Sequence, residues 1–325
     1  MDLLIVDTFE AEVMQWLRER HRVAHAPELA FEPREFRRAL YNVRAMIVPS
    51  TVTLDAQALH YAPVLQAVGR VSAGAENIDL EACARAEVEV VRSVTATAQA
   101  EAEFMIGALL SLLRRVPVTS SDGVPVGREL GSATVGLVGM APAARSMANL
   151  LAAFGSRVVG YDPSLHASDA VWERWQVAPL GLRELLSQSD AVCVQLNYFS
   201  RYHGLLGERF LSFCKPDQVL VSTAHSGLFD EAALAAALSS GRLAAAWLDS
   251  LEPGALDEGR PLCGIDTLQV TPRVASTTRE SRLRSAWAVA RRIDEILSER
   301  PSGFRELKAL SPIAPLDLAT SSWPP

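Results

Sequence analysis

Short apolar runs rich in β-branched residues alternate with helical patterns along almost the whole chain, and this alternation limits the fold more than any other feature. A strand followed by a helix and another strand builds parallel sheets that helices cover. The sequence therefore predicts an α/β protein with doubly wound parallel sheets. The candidate strands are residues 3–6, 45–48, 65–68, 88–91, 134–138, 157–161, 191–195, 218–222, 243–248 and 268–270.

The length of 325 residues favours two domains, because a single core stops growing below about 300 residues. A helical pattern over residues 101–114 lies between two groups of candidate strands and predicts a connecting helix. We expect one domain from residues 1–97 plus 286–325 and a second from 98–285. Residues 116–127 are rich in turn formers and predict a surface loop. The tail, 302–325, lacks a period and predicts irregular structure.

The composition excludes several classes of protein. The net charge of −7 offers no basic surface for nucleic acid. The longest apolar stretch, residues 104–113, is about half a membrane span, and the N-terminus lacks the basic residues of a signal peptide. We therefore expect a cytoplasmic protein without membrane contact. Four cysteines occur without a C-x-x-C pair, which indicates reduced, packed thiols and no metal site.

Residues 134–145, Thr-Val-Gly-Leu-Val-Gly-Met-Ala-Pro-Ala-Ala-Arg, leave a predicted strand and enter a helix. A G-x-G-x-x-G turn in this context presents helix N-terminal amides to a pyrophosphate. The three glycine positions are occupied by Gly139, Ala141 and Ala144, so the second position carries a methyl group where the backbone approaches the phosphates. The residues expected to contact the cofactor here are Gly139, Met140, Ala141, Pro142 and Ala143.

Asp162 ends the next candidate strand, about 20 residues beyond the glycine turn. A carboxylate at this point accepts hydrogen bonds from ribose hydroxyls and repels a 2′-phosphate. The turn and the acid together predict a dinucleotide site that prefers NAD to NADP.

Over residues 45–290 the sequence resembles the D-isomer-specific 2-hydroxyacid dehydrogenases. The matching segments occur in the family's order, at residues 72–79, 136–163, 196–207, 221–234, 247–253 and 271–278. The resemblance implies two Rossmann-like or flavodoxin-like domains with a cleft between them, NAD as cofactor, a small acid-like substrate and a homodimer. The connection between Arg115 and Gly131 is shorter than is usual in the family, and this connection is where the family has its dimer-forming arm.

The resemblance also implies roles for individual residues. It assigns the substrate carboxylate to two loops, with Ser50, Thr51, Ala73, Gly74 and Ala75. It adds to the cofactor site Asn197, which replaces a proline of the family's loop, together with Ala224 and Asp249.

The family's catalytic triad is replaced in this sequence. His225 stands where the family has the arginine that binds the substrate, and Arg273 stands where it has the histidine that transfers a proton. Gly254 stands in place of the glutamate that supports this histidine. Glu252, two residues earlier, is interpreted as a surface or loop residue, because a shift of about 6–7 Å is too large for the same hydrogen bond.

His225 and Arg273 are the candidate catalytic residues, with two interpretations. They retain an acid/base and a cation with exchanged positions, so a hydride-transfer reaction with reversed roles is one interpretation. Imidazole does not fork onto a carboxylate as guanidinium does, so loss of the ordinary reaction is the other. Three functional classes remain: an NAD-dependent oxidoreductase with a rebuilt site, a non-redox lyase, dehydratase or cyclase, and a protein that senses NAD(H).

Overall fold

The computed structural model describes residues 1–72, 74–75 and 77–299, and all statements below refer to them. The first sheet consists of parallel strands in the order β2-β1-β3-β4-β5, which is a doubly wound arrangement of the flavodoxin type. Its strands are β1 (Leu3–Ile5), β2 (Val23–His25), β3 (Ala45–Ile47), β4 (Ala67–Arg70) and β5 (Glu89–Arg92). The helices between them are α1 (Ala11–Arg18), α2 (Pro33–Ala39), α3 (Ala56–His60) and α4 (Leu80–Arg85).

A long helix, α5 (Ala98–Arg115), leads from the first sheet to the second and begins three residues before the predicted start. Its buried face includes Met105, Leu109 and Leu112, which recur at helical spacing. The predicted loop at 116–127 is a short antiparallel hairpin of β6 (Val118–Thr119) and β7 (Pro125–Val126). The segment is largely exposed, as predicted for a surface loop, and only the short strand pairing was missed, because two-residue strands among turn formers leave no periodic pattern.

The second sheet has the order β10-β9-β8-β11-β12-β13-β14, and all its strands are parallel. Its strands are β8 (Thr134–Val138), β9 (Arg157–Tyr161), β10 (Ala178–Pro179), β11 (Ala191–Val194), β12 (Val219–Ser222), β13 (Ala245–Leu248) and β14 (Leu268–Val270). The helices are α6 (Pro142–Phe154), α7 (Val171–Arg174), α8 (Leu182–Gln188), α9 (Glu208–Leu211), α10 (Glu231–Ser239) and α11 (Arg279–Ser298). The order reverses between β8 and β11, and ligands of such sheets bind where the strand order reverses.

The last helix, α11, returns to the first sheet and packs on β4. Gly69 allows this contact, because a Cβ there would lie 2.6 Å from the Val289 Cγ1 atom.

The fold is therefore α/β with two doubly wound parallel sheets, as the sequence predicts. The domain boundaries at 97 and 285 remain a prediction, and the predicted irregular tail lies outside the described residues. No described helix combines the length and apolar character needed to span a membrane.

Candidate active site and cofactor site

The turn between β8 and α6 has the geometry that the sequence predicts for a phosphate-binding loop. Gly139 has φ +90°, and a Cβ there would lie 2.4 Å from the backbone of Leu196. Only glycine is compatible with this contact. Ala141 occupies the N-cap position with φ −58°, which alanine adopts without strain, and Pro142 is the first helical residue.

The N-terminus of α6 is open to a ligand. No side chain caps it among the described residues. Proline at the first position has no N–H, so the unpaired amides of the first turn belong to Ala143 and Ala144. Ala143 and Ala144 are buried, whereas Ala141 and Pro142 are half-buried. The positive end of the helix dipole therefore faces the turn, where it favours a negatively charged group.

Asp162 lies directly after β9 and is tied to the glycine turn. Its Oδ2 atom accepts a hydrogen bond from the Met140 amide at 2.8 Å, and its Oδ1 atom accepts two from Ser164. The Oδ2 atom can accept one further hydrogen bond, because a carboxylate oxygen has two lone pairs. The carboxylate is half-exposed beside the turn, where a ribose hydroxyl of a dinucleotide could reach it.

The segment after β11 contains a residue that the sequence analysis missed. Gln195 is buried, and neither atom of its side-chain amide has a hydrogen-bond partner among the described residues. It adjoins Leu196, whose backbone contacts Gly139, so it lies where the strand order reverses. Because its neighbours in sequence are apolar, the sequence gave no sign that a buried amide without a hydrogen-bond partner lies here. Asn197 is exposed, and Ala224, after β12, is half-buried.

His225 is held by three contacts beyond the carboxyl end of β12. Its Nδ1 atom accepts a hydrogen bond from the Gly227 amide at 3.0 Å, which requires the ring to carry its proton on Nε2 when neutral. Nε2 lies 3.5 Å from the Oε1 atom of Glu252. The ring of Tyr198 stacks on the imidazole with centroids 4.4 Å apart. None of these three contacts is predictable from the sequence alone.

Glu252 is exposed, as expected, but it also belongs to the site. Its Oε1 atom contacts His225 and lies 3.3 Å from the Ser226 hydroxyl, which donates to it. The sequence analysis compared Glu252 only with the histidine position of the family, residue 273. A partner at residue 225 could not be inferred, because the pairing joins two loops from different strands.

Arg273 has a left-handed backbone conformation, and its side chain donates one hydrogen bond. Its φ is +54°, a left-handed conformation that costs about 1–3 kcal/mol for a residue other than glycine. The Nε atom donates to the Ser250 hydroxyl at 3.0 Å. The terminal Nη1 and Nη2 atoms donate to no group among the described residues. They therefore remain available to an anion.

Asp249 holds the loop that carries Arg273. Its Oδ1 atom accepts hydrogen bonds from the Thr271 hydroxyl and the Val274 amide, and Oδ2 accepts one from the Ala275 amide. The carboxylate is buried, at 4% exposure. Both carboxylate oxygens are therefore already engaged in hydrogen bonds within the chain before any cofactor binds.

The loops predicted to bind the substrate carboxylate follow the carboxyl ends of β3 and β4 in the first sheet. Ser50 and Thr51 are exposed, while Gly74 and Ala75 are half-buried; Ala73 lies outside the described residues. Sequence analysis missed Arg70, a buried cation at the end of β4 that donates to the side chains of Asn77 and Ser72. The position of this arginine just beyond the end of a predicted strand could have marked it as a candidate site residue.

Three of the four cysteines are packed in the core. Cys83, Cys193 and Cys214 are buried, as predicted, and burial raises the pKa of each thiol, to about 11 for Cys83 and about 12 for Cys214. Cys263 is exposed, which corrects the expectation that all four pack in the core. The described residues contain no group of His, Cys, Asp and Glu that could hold a metal ion.

Comparison with known proteins relates this site to a family. Residues 108–275 match the family described as "D-isomer specific 2-hydroxyacid dehydrogenase, NAD binding domain". The chain is 33% identical over 268 residues to an (S)-sulfolactate dehydrogenase of Chromohalobacter salexigens, covering 80% of this chain and 86% of that protein. It is 32% identical over 260 residues to a D-3-phosphoglycerate dehydrogenase of Mycobacterium tuberculosis, covering 78% of this chain but 49% of that protein.

A solved structure has a similar fold. The TT0316 protein from Thermus thermophilus superposes with a TM-score of 0.76 at 26% identity, covering 92% of this chain and 98% of that one. The chain thus spans nearly all of this structure, but only about half the length of the mycobacterial relative.

Proposed function

Because this chain belongs to the D-isomer-specific 2-hydroxyacid dehydrogenase family, we propose that it is an NAD-dependent oxidoreductase of a small 2-oxo or 2-hydroxy acid with a rebuilt active site. The observation that carries the proposal is the His225–Glu252 pair, with the two side chains 3.5 Å apart. A carboxylate beside an imidazole fixes the orientation and tautomer of the ring. This chain thus has a candidate proton-transfer pair although the family's histidine is absent.

The residues around the glycine turn fit NAD. The turn requires glycine at 139, the N-terminus of α6 is uncapped, and Asp162 supplies a half-exposed carboxylate. We assign the pyrophosphate to the first-turn amides of α6 and the adenine-side ribose to Asp162. Asn197 and Ala224 are assigned to the wall of the same crevice. Bound NAD would accept or donate the hydride.

Arg273 is assigned as the anchor of the substrate carboxylate. Its Nε–H is committed to Ser250, which orients the guanidinium, and its terminal nitrogens can bind a carboxylate with two hydrogen bonds. Asp249 fixes the loop from behind. The loops with Ser50–Thr51 and Ala73–Ala75 are assigned to the same anion from the first sheet.

His225 is assigned as the acid/base, with Nδ1 as the working nitrogen. Glu252 lies at Nε2 and keeps a proton there, so the proton that the ring exchanges with the substrate oxygen is the one on Nδ1. In the structure the lone pair of Nδ1 accepts the Gly227 amide, so the substrate oxygen would have to displace this hydrogen bond. In the direction of reduction, the protonated ring would give its Nδ1 proton to the carbonyl oxygen. The neutral ring then accepts the Gly227 amide hydrogen bond.

The test is NADH consumption with a panel of 2-oxo acids. His225→Ala should lower kcat by about 10²- to 10⁴-fold and leave NAD affinity unchanged. His60→Ala, an exposed histidine on α3, is the matched control and should retain activity. Tightly retained NAD without turnover would favour the non-redox enzyme instead, and reversible NAD binding without turnover of any acid would favour the sensing protein.

A further inference from the structure

Glu101 is a carboxyl group beside the site to which the proposed reaction assigns no role. It lies in the first turn of α5, and its side chain hydrogen bonds with Thr97. Four residues later, on the same face, Met105 contacts the Thr223 hydroxyl with its sulfur at 4.0 Å. Thr223 directly follows β12, so this face of the helix passes the carboxyl end of that strand.

The direction of α5 places Glu101 beyond the strand ends. Near the C-terminal end of the helix, the Leu113 carbonyl accepts a hydrogen bond from the amide of Arg128, whose side chain donates to the carbonyl of Asp217, before β12. Met105 is level with the end of that strand. Since a helical turn rises about 5.4 Å, Glu101 lies one turn past it, beyond the carboxyl end of β12.

The charge of Asp249 acts on Glu101 from the end of the neighbouring strand. Burial raises the pKa of the Glu101 carboxyl, Asp249 raises it further, and the hydrogen bond with Thr97 opposes both. The oxygens of Asp249 are engaged by the loop at 271–275. Glu101 therefore makes fewer hydrogen bonds to its own chain than Asp249 does.

The order of the strands in the second sheet determines which half of a bound dinucleotide lies near Glu101. Asp162 follows β9, on one side of β8, and takes the adenine-side ribose in the proposed site. A dinucleotide bound across the reversal of strand order has its other half over β11 and β12. Glu101 lies on that second side, one helical turn from the residue that contacts Thr223 and within electrostatic reach of Asp249.

We propose that Glu101 faces the nicotinamide half of the cofactor and favours the oxidised, positively charged ring over the reduced, neutral ring. This inference rests on the proposed cofactor site, but it concerns binding and needs no substrate. A negative charge in a partly buried site attracts a cation more strongly than in water. The chain would then bind NAD⁺ better, relative to NADH, than the same site without this charge.

The experiment is titration of the full chain with NAD⁺ and with NADH by calorimetry. Glu101→Gln should raise the Kd for NAD⁺ about tenfold and leave that for NADH nearly unchanged, as expected for loss of one partly screened charge. Glu101→Met should change the ratio equally, because the charge and not the hydrogen bond is responsible. Glu103→Gln, an exposed acid two residues further on α5, is the control and should change neither constant.

The outcomes separate this inference from the proposed function. An unchanged NAD⁺/NADH ratio in both Glu101 variants, or an equal weakening of both forms, overturns the role of Glu101 and leaves the cofactor site intact. A change in Glu101→Met alone also overturns it, because a hydrogen bond would then be responsible. If the native chain binds neither form, both proposals fail.

Discussion

The ring of Tyr198 lies over the imidazole of His225 at an interplanar angle of 18°, with the ring centroids 4.4 Å apart. Tyr198 comes from the segment after β11 and His225 from the segment after β12, so the stack joins neighbouring strand ends. The same tyrosine crowds Gly227, where a Cβ would lie 3.0 Å from its Cε2 atom. The imidazole is therefore restrained from its face as well as from both nitrogens.

Removal of this stack should loosen the proposed acid/base. Stacked aromatic pairs contribute about 0.5–1.5 kcal/mol, so Tyr198→Leu should lower kcat by roughly threefold to tenfold. Tyr198→Phe keeps the ring and should retain most of the activity. Steady-state kinetics with the preferred 2-oxo acid measure both variants. Equal losses in the two would mean that the hydroxyl, 3.3 Å from His203, matters instead.

Arg273→Ala should act on substrate binding. If the arginine binds a substrate carboxylate, its loss should cost about 2–5 kcal/mol, seen mainly as a higher KM. Arg279→Ala, an exposed arginine at the start of α11, is the control. A fall in kcat with KM unchanged would contradict the anchoring role.

Asp162 should determine the choice between NAD and NADP. Asp162→Ser should weaken NAD binding and improve the relative affinity for NADP, because the carboxylate that repels the 2′-phosphate is gone. Asp169→Asn, an acid in the same loop that accepts the His166 amide, should leave the preference unchanged. Calorimetric titration with both cofactors gives the ratio. Equal or tighter NADP binding by the native chain would contradict the assignment.

The Glu101 carboxyl should make folding stability depend on pH. Its pKa is raised above the ordinary value of 4.5, mainly by burial, so its contribution is fully present below that value and is lost as the pH rises through the folded pKa. Glu101→Gln should therefore gain stability relative to the native chain at neutral pH. Urea unfolding at several pH values should show this difference shrinking towards pH 4.5. A constant difference would indicate a pH-independent packing effect.

Restoring the family's triad should be costly. His225→Arg, Gly254→Glu and Arg273→His together place a side chain at residue 254, where φ is +81° and a Cβ would lie 3.0 Å from an oxygen of Asp257. A left-handed residue costs about 1–2 kcal/mol, so the triple variant should unfold at lower urea. Gly259→Glu, also at positive φ but with open space, separates strain from crowding. Reduction of 2-oxo acids by the triple variant alone would show an intact cofactor geometry.

Long and regular patterns determined how much of the fold could be predicted. Strands 134–138, 157–161 and 268–270 agree with the structure to the residue. The edge strands Val23–His25 and Ala178–Pro179 were missed, because strands of two or three residues carry no alternation.

The site was predicted where it depends on local sequence and missed where it depends on tertiary contacts. The glycine turn is a local feature and has the expected geometry at Gly139 and Pro142. The His225–Glu252 contact joins loops 27 positions apart, and the buried Gln195 amide is visible only from its surroundings. Spacing along the chain carries no information on such contacts.

The left-handed backbone at Gly254 makes a glutamate difficult to introduce there by a single substitution. A mutation that returned a glutamate there would meet an unfavourable conformation, and it would find arginine rather than histidine at residue 273. Its benefit would appear only after the other changes had occurred. The backbone at this residue therefore disfavours stepwise change towards the triad that the family resemblance implies, and we expect variation in this lineage to concentrate on the loops around His225.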